Sequence, residues 1–267
     1  MSAPLVIQSR DNPLLAKVRK LIRNSTGYRH EGLVWLEGDH LCRALHERGQ
    51  QAKHAIVIDE VWDCQSHIRT LATSAQNVYL VSANLFKSIS GLESAASIGF
   101  IYELPHTAQY PSPTDVPIWA PQPTVILDRL QDPGNAGSIL RTASAMGFRQ
   151  IIALEGTVAL WSPKVLRAGM GAHFNLQIYE CVAFEHMAHF PLPLITTSSH
   201  SPHQLGATPL PHACAWVFGH EGQGTRAEWS PLAHLQISIA QPGGEESLNV
   251  AAAAAICLYE STCIHKR

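Results

Sequence analysis

The sequence predicts an α/β protein in two parts, a small α/β domain followed by a larger domain built on a parallel sheet. Short apolar runs alternate with helical segments through most of the chain. Residues 105–123 interrupt this alternation with six prolines in nineteen residues, a composition typical of a semi-rigid linker. We therefore predict domains at residues 1–104 and 124–267, joined by a linker at 105–123.

The small domain is predicted from an amphipathic helix and four apolar runs. The segment DNPLLAKVRKLIRN has apolar residues at helical spacing, with Asp11 or Asn12 as the N-cap and Pro13 at the first helical position. Strands are predicted at LVWLEG, HAIVIDE, VYLVS and SIGFIYEL, and further helices at DHLCRALHERG and ANLFKSIS.

The larger domain is predicted from five apolar runs with helical spacers between them, a pattern typical of a parallel sheet covered on both faces. These runs are TVILDRL, QIIALEG, LPLITTS, CAWVFGH and LQISIA. The stretch GGEESLNVAAAAAICLYE then begins with polar residues and continues as an alanine-rich segment. Because alanine has the highest helix propensity, this segment predicts a slim helix with polar groups at its start.

Composition excludes several classes of protein. A chain with 46% hydrophobic and 15% charged residues suits a globular protein. The N-terminus lacks the pattern of a signal peptide, and no apolar run reaches the roughly 18 residues of a membrane span. The six cysteines include no C-x-x-C pair, which predicts reduced thiols in the cytoplasm. The spacing of His200, His203, His212 and Cys214 fits no standard zinc pattern, so we expect no metal site.

Positive charge is concentrated near the N-terminus of a chain whose net charge is −2. Residues 1–30 contain six basic side chains and one acidic side chain, Asp11. This local excess predicts a patch that meets a polyanion, although a solvated helix face would show the same charges. The basic residues are Arg10, Lys17, Arg19, Lys20, Arg23 and Arg29.

Three polar, glycine-containing loops follow predicted strands of the larger domain. They are DPGNAGSILRTA, FGHEGQG and GGEESLNV. Ligands gather at the carboxyl ends of parallel strands, so the three loops together predict a binding site, although none matches a dinucleotide-binding or P-loop motif. Each loop alone can also be interpreted as an ordinary turn. In that interpretation Ser247, for example, is simply a helix N-cap and Asn249 simply a residue of the first helical turn.

These motifs resemble the SpoU/TrmH family of the SPOUT superfamily, RNA ribose 2′-O-methyltransferases that use S-adenosylmethionine. The likeness covers residues 124–260, includes the segment SPKVLRAGMGAHF, and extends to the N-terminal part, which resembles the substrate-binding domain of that family. It implies a SPOUT parallel-sheet domain with a C-terminal trefoil knot, preceded by a small α/β substrate-binding domain. It also implies a homodimer and offers a reason for the alanines, since a helix packed beside a threaded loop needs small side chains.

The resemblance assigns roles to particular residues. It implies a reaction site lined by Asn135, Arg141, Glu221, Ser247 and Asn249, and a cofactor held mostly by main-chain groups near Thr197, Gly219, Ile239 and Leu248. Arg141 is the general base in the family's proposal, but a guanidinium keeps its proton, and a bidentate phosphate clamp is the alternative.

The sequence departs from the family pattern at two places, either of which could loosen the cofactor pocket or shift the choice of substrate. The third motif usually has Pro-Met after its isoleucine, where this chain has Ala240-Gln241, and many relatives have serine in place of Gly169.

The resemblance also predicts the partner, a structured RNA bound through Arg10, Lys17, Arg19, Lys20 and Arg23. Large-subunit (23S) ribosomal RNA is the first candidate and transfer RNA the second. A non-catalytic RNA-binding protein and a methyltransferase for small molecules remain as alternatives.

Overall fold

The computed structural model describes residues 3–94, 96–105, 119–245 and 247–264, which form two compact units. The first unit comprises Met1–His106 and Trp161–Phe174, and the second comprises Thr107–Leu160 and Asn175–Arg267. Most of the predicted linker, residues 106–118, lies outside the described residues, as does Glu246 of the third motif.

A five-stranded mixed sheet forms the centre of the first unit, in the order β1-β4-β3-β5-β2. β5 runs antiparallel to β3 and β2, and the other pairs are parallel. The strands are β1 (Leu5–Ile7), β2 (Leu33–Glu37), β3 (His54–Ile58), β4 (Asn77–Val81) and β5 (Ile98–Glu103). The helices before β5 are α1 (Pro13–Arg23), α2 (Gly27–Glu31), α3 (Asp39–Glu47), α4 (Asp59–Cys64), α5 (Ser66–Ala72) and α6 (Ala83–Lys87).

The amphipathic pattern of the N-terminal segment produces α1 as expected. The Asn12 side chain caps it by accepting a hydrogen bond from the Leu14 amide at 2.9 Å, and its apolar face is buried. The edge strand β1 has no counterpart in the sequence prediction. It is only three residues long, and Leu5 and Val6 are exposed. Neither its length nor an alternation of apolar and polar residues therefore indicates a strand in the sequence.

The segment Trp161–Phe174, which the sequence analysis placed in the larger domain, packs within the first unit. It contains α8 (Pro163–Gly169). The Gln50 side chain donates a hydrogen bond to the Phe174 carbonyl at 3.0 Å, and the Tyr102 ring meets the Phe174 ring edge-on. Burial of this segment's apolar side chains against residues distant in sequence decides its place, and no local pattern reports such contacts.

A six-stranded sheet, parallel throughout, forms the centre of the second unit in the order β11-β9-β10-β6-β7-β8. This confirms the predicted parallel sheet. The strands are β6 (Thr124–Leu127), β7 (Gln150–Leu154), β8 (Gln177–Val182), β9 (Leu194–Thr197), β10 (Ala215–Phe218) and β11 (Leu235–Ile237). β8 was not predicted, because Gln177 and Glu180 interrupt the apolar residues of this edge strand.

Two helices of the second unit follow the polar loops and pack against each other. They are α7 (Pro133–Ala145) and α9 (Val250–Ile264). α7 begins at Pro133, and the Asp132 side chain caps it by accepting from the Asn135 amide at 2.7 Å. Among the described helices, none has the length and apolar character needed to cross a membrane.

Candidate active site

The three polar loops and Thr197 leave from four strands that are adjacent in the sheet. β6 carries the first loop, β10 the second and β11 the third, while β9 ends at Thr197. In the order β11-β9-β10-β6 these strands are consecutive neighbours, and all are parallel. Their carboxyl ends therefore lie along one edge of the sheet, where the sequence analysis predicted a site.

The Glu221 carboxylate joins the second loop to the first. One of its oxygens accepts hydrogen bonds from the Asp132 amide at 2.9 Å and the Asn135 side-chain amide at 3.1 Å. The other accepts from the Gln131 amide at 3.1 Å. Burial alone would raise the pKa of this carboxyl, but the hydrogen bonds from Asp132, Asn135 and Gln131 outweigh burial and hold the pKa below its usual value. The ionised side chain thus fixes the start of α7.

Asn135 and Asn249 join the first loop to the third. The Asn249 amide donates to the Asn135 carbonyl oxygen at 3.0 Å. The carbonyl oxygen of Asn249 accepts from the Ala251 and Ala252 backbone amides at 2.9 and 3.2 Å, which caps α9. Glu221, Asn135, Asn249 and the start of α9 therefore form one continuous chain of hydrogen bonds. Because both ends of the Asn135 side chain are held, its orientation is fixed.

A cavity of about 480 Å³ lies at the same strand ends, and we call it the strand-end cavity. Its size is in the range of small-molecule sites. Apolar side chains and a polar set both contribute to its wall. Its lining includes Thr197, Ser198, His200, Gly219, His220, Glu221, Gln223, Ile239, Gln241, Ser247, Leu248 and Ala253. All four residues predicted to hold the cofactor are among them.

Gly219 is required by a close approach of two backbone segments. The second loop closes on itself through paired backbone hydrogen bonds between His220 and Gly224, at 3.0 and 2.8 Å. A Cβ at Gly219 would overlap the Gly224 carbonyl group and the Thr225 nitrogen. A glycine here therefore keeps the loop folded against its own strand, which shapes one wall of the cavity.

The predicted reaction-site residues differ in where the structure places them. Glu221 and Ser247 line the strand-end cavity, while Asn135 is hydrogen-bonded to Glu221 and Asn249 to Asn135. Arg141 lies on α7 six residues after Asn135, about 1.7 turns along, so the two side chains leave the helix about 120° apart. It is exposed and has no hydrogen bond or ion pair to any residue that the structure describes.

A buried carboxylate that the sequence analysis missed stands directly after β6. Asp128 is fully buried, and one oxygen meets the Arg226 guanidinium at 2.7 Å. The other accepts from the Arg226 amide and the Trp229 indole, both at 2.9 Å. Burial raises the pKa of Asp128, but the hydrogen bonds from Arg226 and Trp229 more than offset it, so the pKa is lowered. The one local signal was an acid directly following an apolar strand.

The predicted RNA-binding residues lie in the first unit, and an acid reduces their charge. The Glu31 carboxylate is 2.6 Å from the Lys20 ammonium and 3.7 Å from that of Lys17. Glu31 is the residue directly after the basic segment 1–30. Arg10 and Arg23 are exposed, and their guanidinium groups meet no acid among the described residues.

The comparisons with known proteins match the same motifs. Residues 122–259 match the model of the SpoU rRNA Methylase family, which is more than half of the chain. The chain belongs to this family.

Relatives align over most of the chain. A Synechocystis protein named as an uncharacterized tRNA/rRNA methyltransferase is 31% identical over 96% of this chain and 92% of its own length. The Bacillus subtilis 23S rRNA (guanosine(2553)-2′-O)-methyltransferase RlmP is 25% identical over 84% of this chain and 86% of its own. A TrmH-family structure from Porphyromonas gingivalis is 27% identical and superimposes with a TM-score of 0.79 over 96% of this chain and 98% of that chain.

Proposed function

We infer that this chain transfers a methyl group from S-adenosylmethionine to a ribose 2′-hydroxyl of RNA. The observation that carries this inference is the hydrogen-bond chain from Glu221 through Asn135 to Asn249. It gathers the three family motifs beside a cavity of small-molecule size. Membership of the SpoU rRNA Methylase family supports the same reaction.

The strand-end cavity fits a nucleoside cofactor. Ile239, Leu248 and Ala253 offer apolar surface for a base, and Ser198, His200 and Gln223 offer polar groups for the rest of the molecule. The tight turn at Gly219 lets main-chain groups approach a ligand without side chains between. When bound, S-adenosylmethionine supplies an activated methyl group.

The protein's own part in such a displacement is to position the acceptor ribose. Asn135, fixed at both ends, presents its remaining amide hydrogen and carbonyl lone pair in a defined direction. Glu221 has its oxygens engaged with Gln131, Asp132 and Asn135 and a lowered pKa, which suits a positioning residue rather than a proton acceptor. Arg141 is exposed and pairs with no residue that the structure describes, so its guanidinium is free to clamp a substrate phosphate.

Substitution of Arg141 tests the phosphate clamp. Arg141→Lys keeps the charge but not the planar fork, so we expect turnover to fall at least about 100-fold with little change in cofactor affinity. Methyl transfer from labelled S-adenosylmethionine and calorimetry measure the two quantities. Near-normal methylation by this variant would exclude the clamp.

The RNA substrate is proposed to be 23S ribosomal RNA, with transfer RNA second. The printed name of the Bacillus subtilis relative assigns that protein to 23S RNA. Unmodified transcripts of both RNAs, incubated with labelled cofactor and mapped for the methylated ribose, test substrate and reaction together. Cofactor binding without label on either RNA would favour a non-catalytic RNA-binding protein, and absence of cofactor binding would refute the proposed function.

We also propose a homodimer that covers an apolar face of α9. Ile256 and Tyr259 on this helix are 41% and 57% exposed, and Leu248 just before it is 40% exposed. Ile256 and Tyr259 are one turn apart on α9, and exposed large apolar side chains on one helix face mark interaction surfaces. Light scattering of the purified chain measures its mass, and a monomer at micromolar concentration would contradict the dimer.

The trefoil knot and the cytoplasmic location are proposals as well. Support for the knot comes from family membership and from α9, which packs on α7 and β10 although the preceding strand lies at the sheet edge. An experimental structure that traces residues 239–249 around the neighbouring loops tests it. The free cysteines support the location, and cell fractionation tests it.

A further inference from the structure

Arg129, in the first loop, has a backbone conformation that residues with a side chain rarely adopt. Its φ is +61°, in the left-handed region that glycine and asparagine tolerate best. The Arg129 amide donates to the Thr157 hydroxyl at 3.1 Å, and its carbonyl accepts from the Gln131 side chain at 3.0 Å. A Cβ at Gly156 would lie 3.3 Å from the Arg129 Cγ, so glycine there makes room for the side chain. The surrounding structure holds an arginine where a smaller residue would be less strained, which indicates a function for its side chain.

The Arg129 guanidinium is the surplus cation beside Asp128. Arg226 neutralises Asp128, with its Nε at 2.8 Å and its Nη2 at 2.7 Å from one carboxylate oxygen. Arg129 makes two longer contacts, from Nε to that oxygen at 3.3 Å and from Nη1 to the Gln223 side-chain oxygen at 3.4 Å. Two of its five N–H donors are thus engaged among the described residues, and its side chain is 32% exposed. The other three donors and the charge are therefore available to a ligand.

The guanidinium lies beside the strand-end cavity. A second cavity of about 480 Å³, which we call the arginine cavity, is lined by Arg129, Gln223, Thr225, Arg226, Ala227 and Glu228. Gln223 and Thr225 also line the strand-end cavity, so the two cavities adjoin. Glu228 pairs with neither of the two arginines. An anion bound in the arginine cavity would therefore lie next to the proposed cofactor site and outside it.

We propose that Arg129 binds a phosphate of the substrate RNA next to the methylated ribose. This inference rests on the proposed function and adds a residue that positions the substrate. Arg129 and Asn135 both contact the second loop, at Gln223 and Glu221, so a ribose held by Asn135 has the arginine cavity nearby. A ribose within an RNA chain has a phosphate on each side, and a guanidinium with free donors binds phosphate through charge-assisted hydrogen bonds.

Removal of the charge at Arg129 tests the proposal. Arg129→Asn suits the left-handed backbone and loses the cation, so the melting temperature should stay level or rise. RNA affinity should fall about tenfold at low salt, and the slope of log affinity against log salt concentration should decrease by about 1. Filter binding of unmodified 23S and transfer RNA transcripts measures both quantities, and the transcript that the wild type binds more tightly decides.

Two variants and the cofactor serve as controls. Arg129→Lys keeps a cation and should retain the wild-type slope. Arg149→Asn removes an exposed charge just before β7, at the opposite edge of the sheet, and should change neither affinity nor slope. Calorimetry should give the same affinity for S-adenosylmethionine in Arg129→Asn as in the wild type.

An unchanged slope in Arg129→Asn, or an equal decrease in Arg149→Asn, would overturn the proposal. So would a melting temperature several degrees lower, which would assign Arg129 to the fold, or weaker cofactor binding alone, which would assign it to the cofactor's carboxylate. Failure of the wild type to bind the cofactor or to methylate either RNA would instead overturn the proposed function.

Discussion

Two carboxylates, Asp128 and Glu221, link the first and second loops by hydrogen bonds, one carboxylate from each side. Asp128 follows the strand that leads to the first loop, and it holds Arg226 and Trp229 just beyond the second loop. Glu221 belongs to the second loop and holds the start of α7. Each loop is therefore fixed by an acid from the other, which keeps Asn135 beside the cavity.

Removal of the Asp128 charge should be costly. Asp128→Asn leaves the mostly buried Arg226 guanidinium without its counter-ion, and we expect the free energy of unfolding to fall by about 3 kcal/mol at pH 7. Glu228→Gln removes an exposed acid nearby and should change it by less than about 0.5 kcal/mol. Urea unfolding measures both, and similar effects from the two substitutions would contradict a buried ion pair.

The same pair predicts how stability depends on pH. Because folding lowers the pKa of Asp128, its contribution is present above the unfolded pKa of about 3.9 and is lost as pH falls through the folded value. The stability difference between the wild type and Asp128→Asn should therefore shrink below about pH 4.

Gly219 allows a second test at the scale of one residue. Gly219→Ala forces the loop away from its strand, and we expect a melting temperature several degrees lower and at least about tenfold weaker cofactor binding. Gly222→Ala is the matched control in the same loop, since a Cβ there meets only the His220 ring, at 3.8 Å. Equal melting temperatures for the two variants would show that the close approach at Gly219 is unimportant.

At the scale of elements, one side chain both begins α9 and orients the reaction site. The Asn249 carbonyl oxygen caps the helix, and its amide holds Asn135. The helix behind it is slim, since the five residues after Val250 are all alanines and each contributes only a methyl group. Packing of α9 on α7 therefore depends on small side chains and on the start of the helix being fixed.

Two substitutions separate the roles of Asn249. Asn249→Asp keeps the capping oxygen but cannot donate to Asn135, so stability should stay near that of the wild type while turnover falls at least about tenfold. Asn249→Ala should lose about 1 kcal/mol of stability in addition. Thermal unfolding and methyl-transfer assays measure the two effects, and equal stability of the two variants would argue against the cap.

At the scale of the whole molecule, the division into two units changes how RNA binding should be tested. Deletion of residues 1–104 would strip Trp161–Phe174 of the residues against which it packs, so a truncated chain would not isolate one function. Charge substitutions in the intact chain avoid this problem.

We expect Arg23→Glu to weaken RNA binding and to reduce its salt dependence, because the Arg23 guanidinium meets no acid among the described residues. Lys20→Glu should have a smaller effect, since Glu31 already pairs with Lys20. Filter binding at several salt concentrations measures both, with calorimetry of the cofactor as the control. A larger effect of Lys20→Glu than of Arg23→Glu would contradict the expectation that Arg23 contributes more than Lys20 to RNA binding.

Much of this protein was determined locally and could be predicted from the sequence. The cap at Asn12, the apolar strands and the alanine helix follow from side-chain chemistry within a few residues. The order of the motifs at strand ends follows too, because parallel strands place their carboxyl ends on one edge.

Tertiary structure decided the rest, since it depends on residues far apart in sequence. The place of Trp161–Phe174, the Glu31 pairs and the Asp128–Arg226 pair each arise from burial beside distant residues. Burial sets the cost of an unpaired polar group, and only the folded chain fixes which groups are buried and which partners reach them.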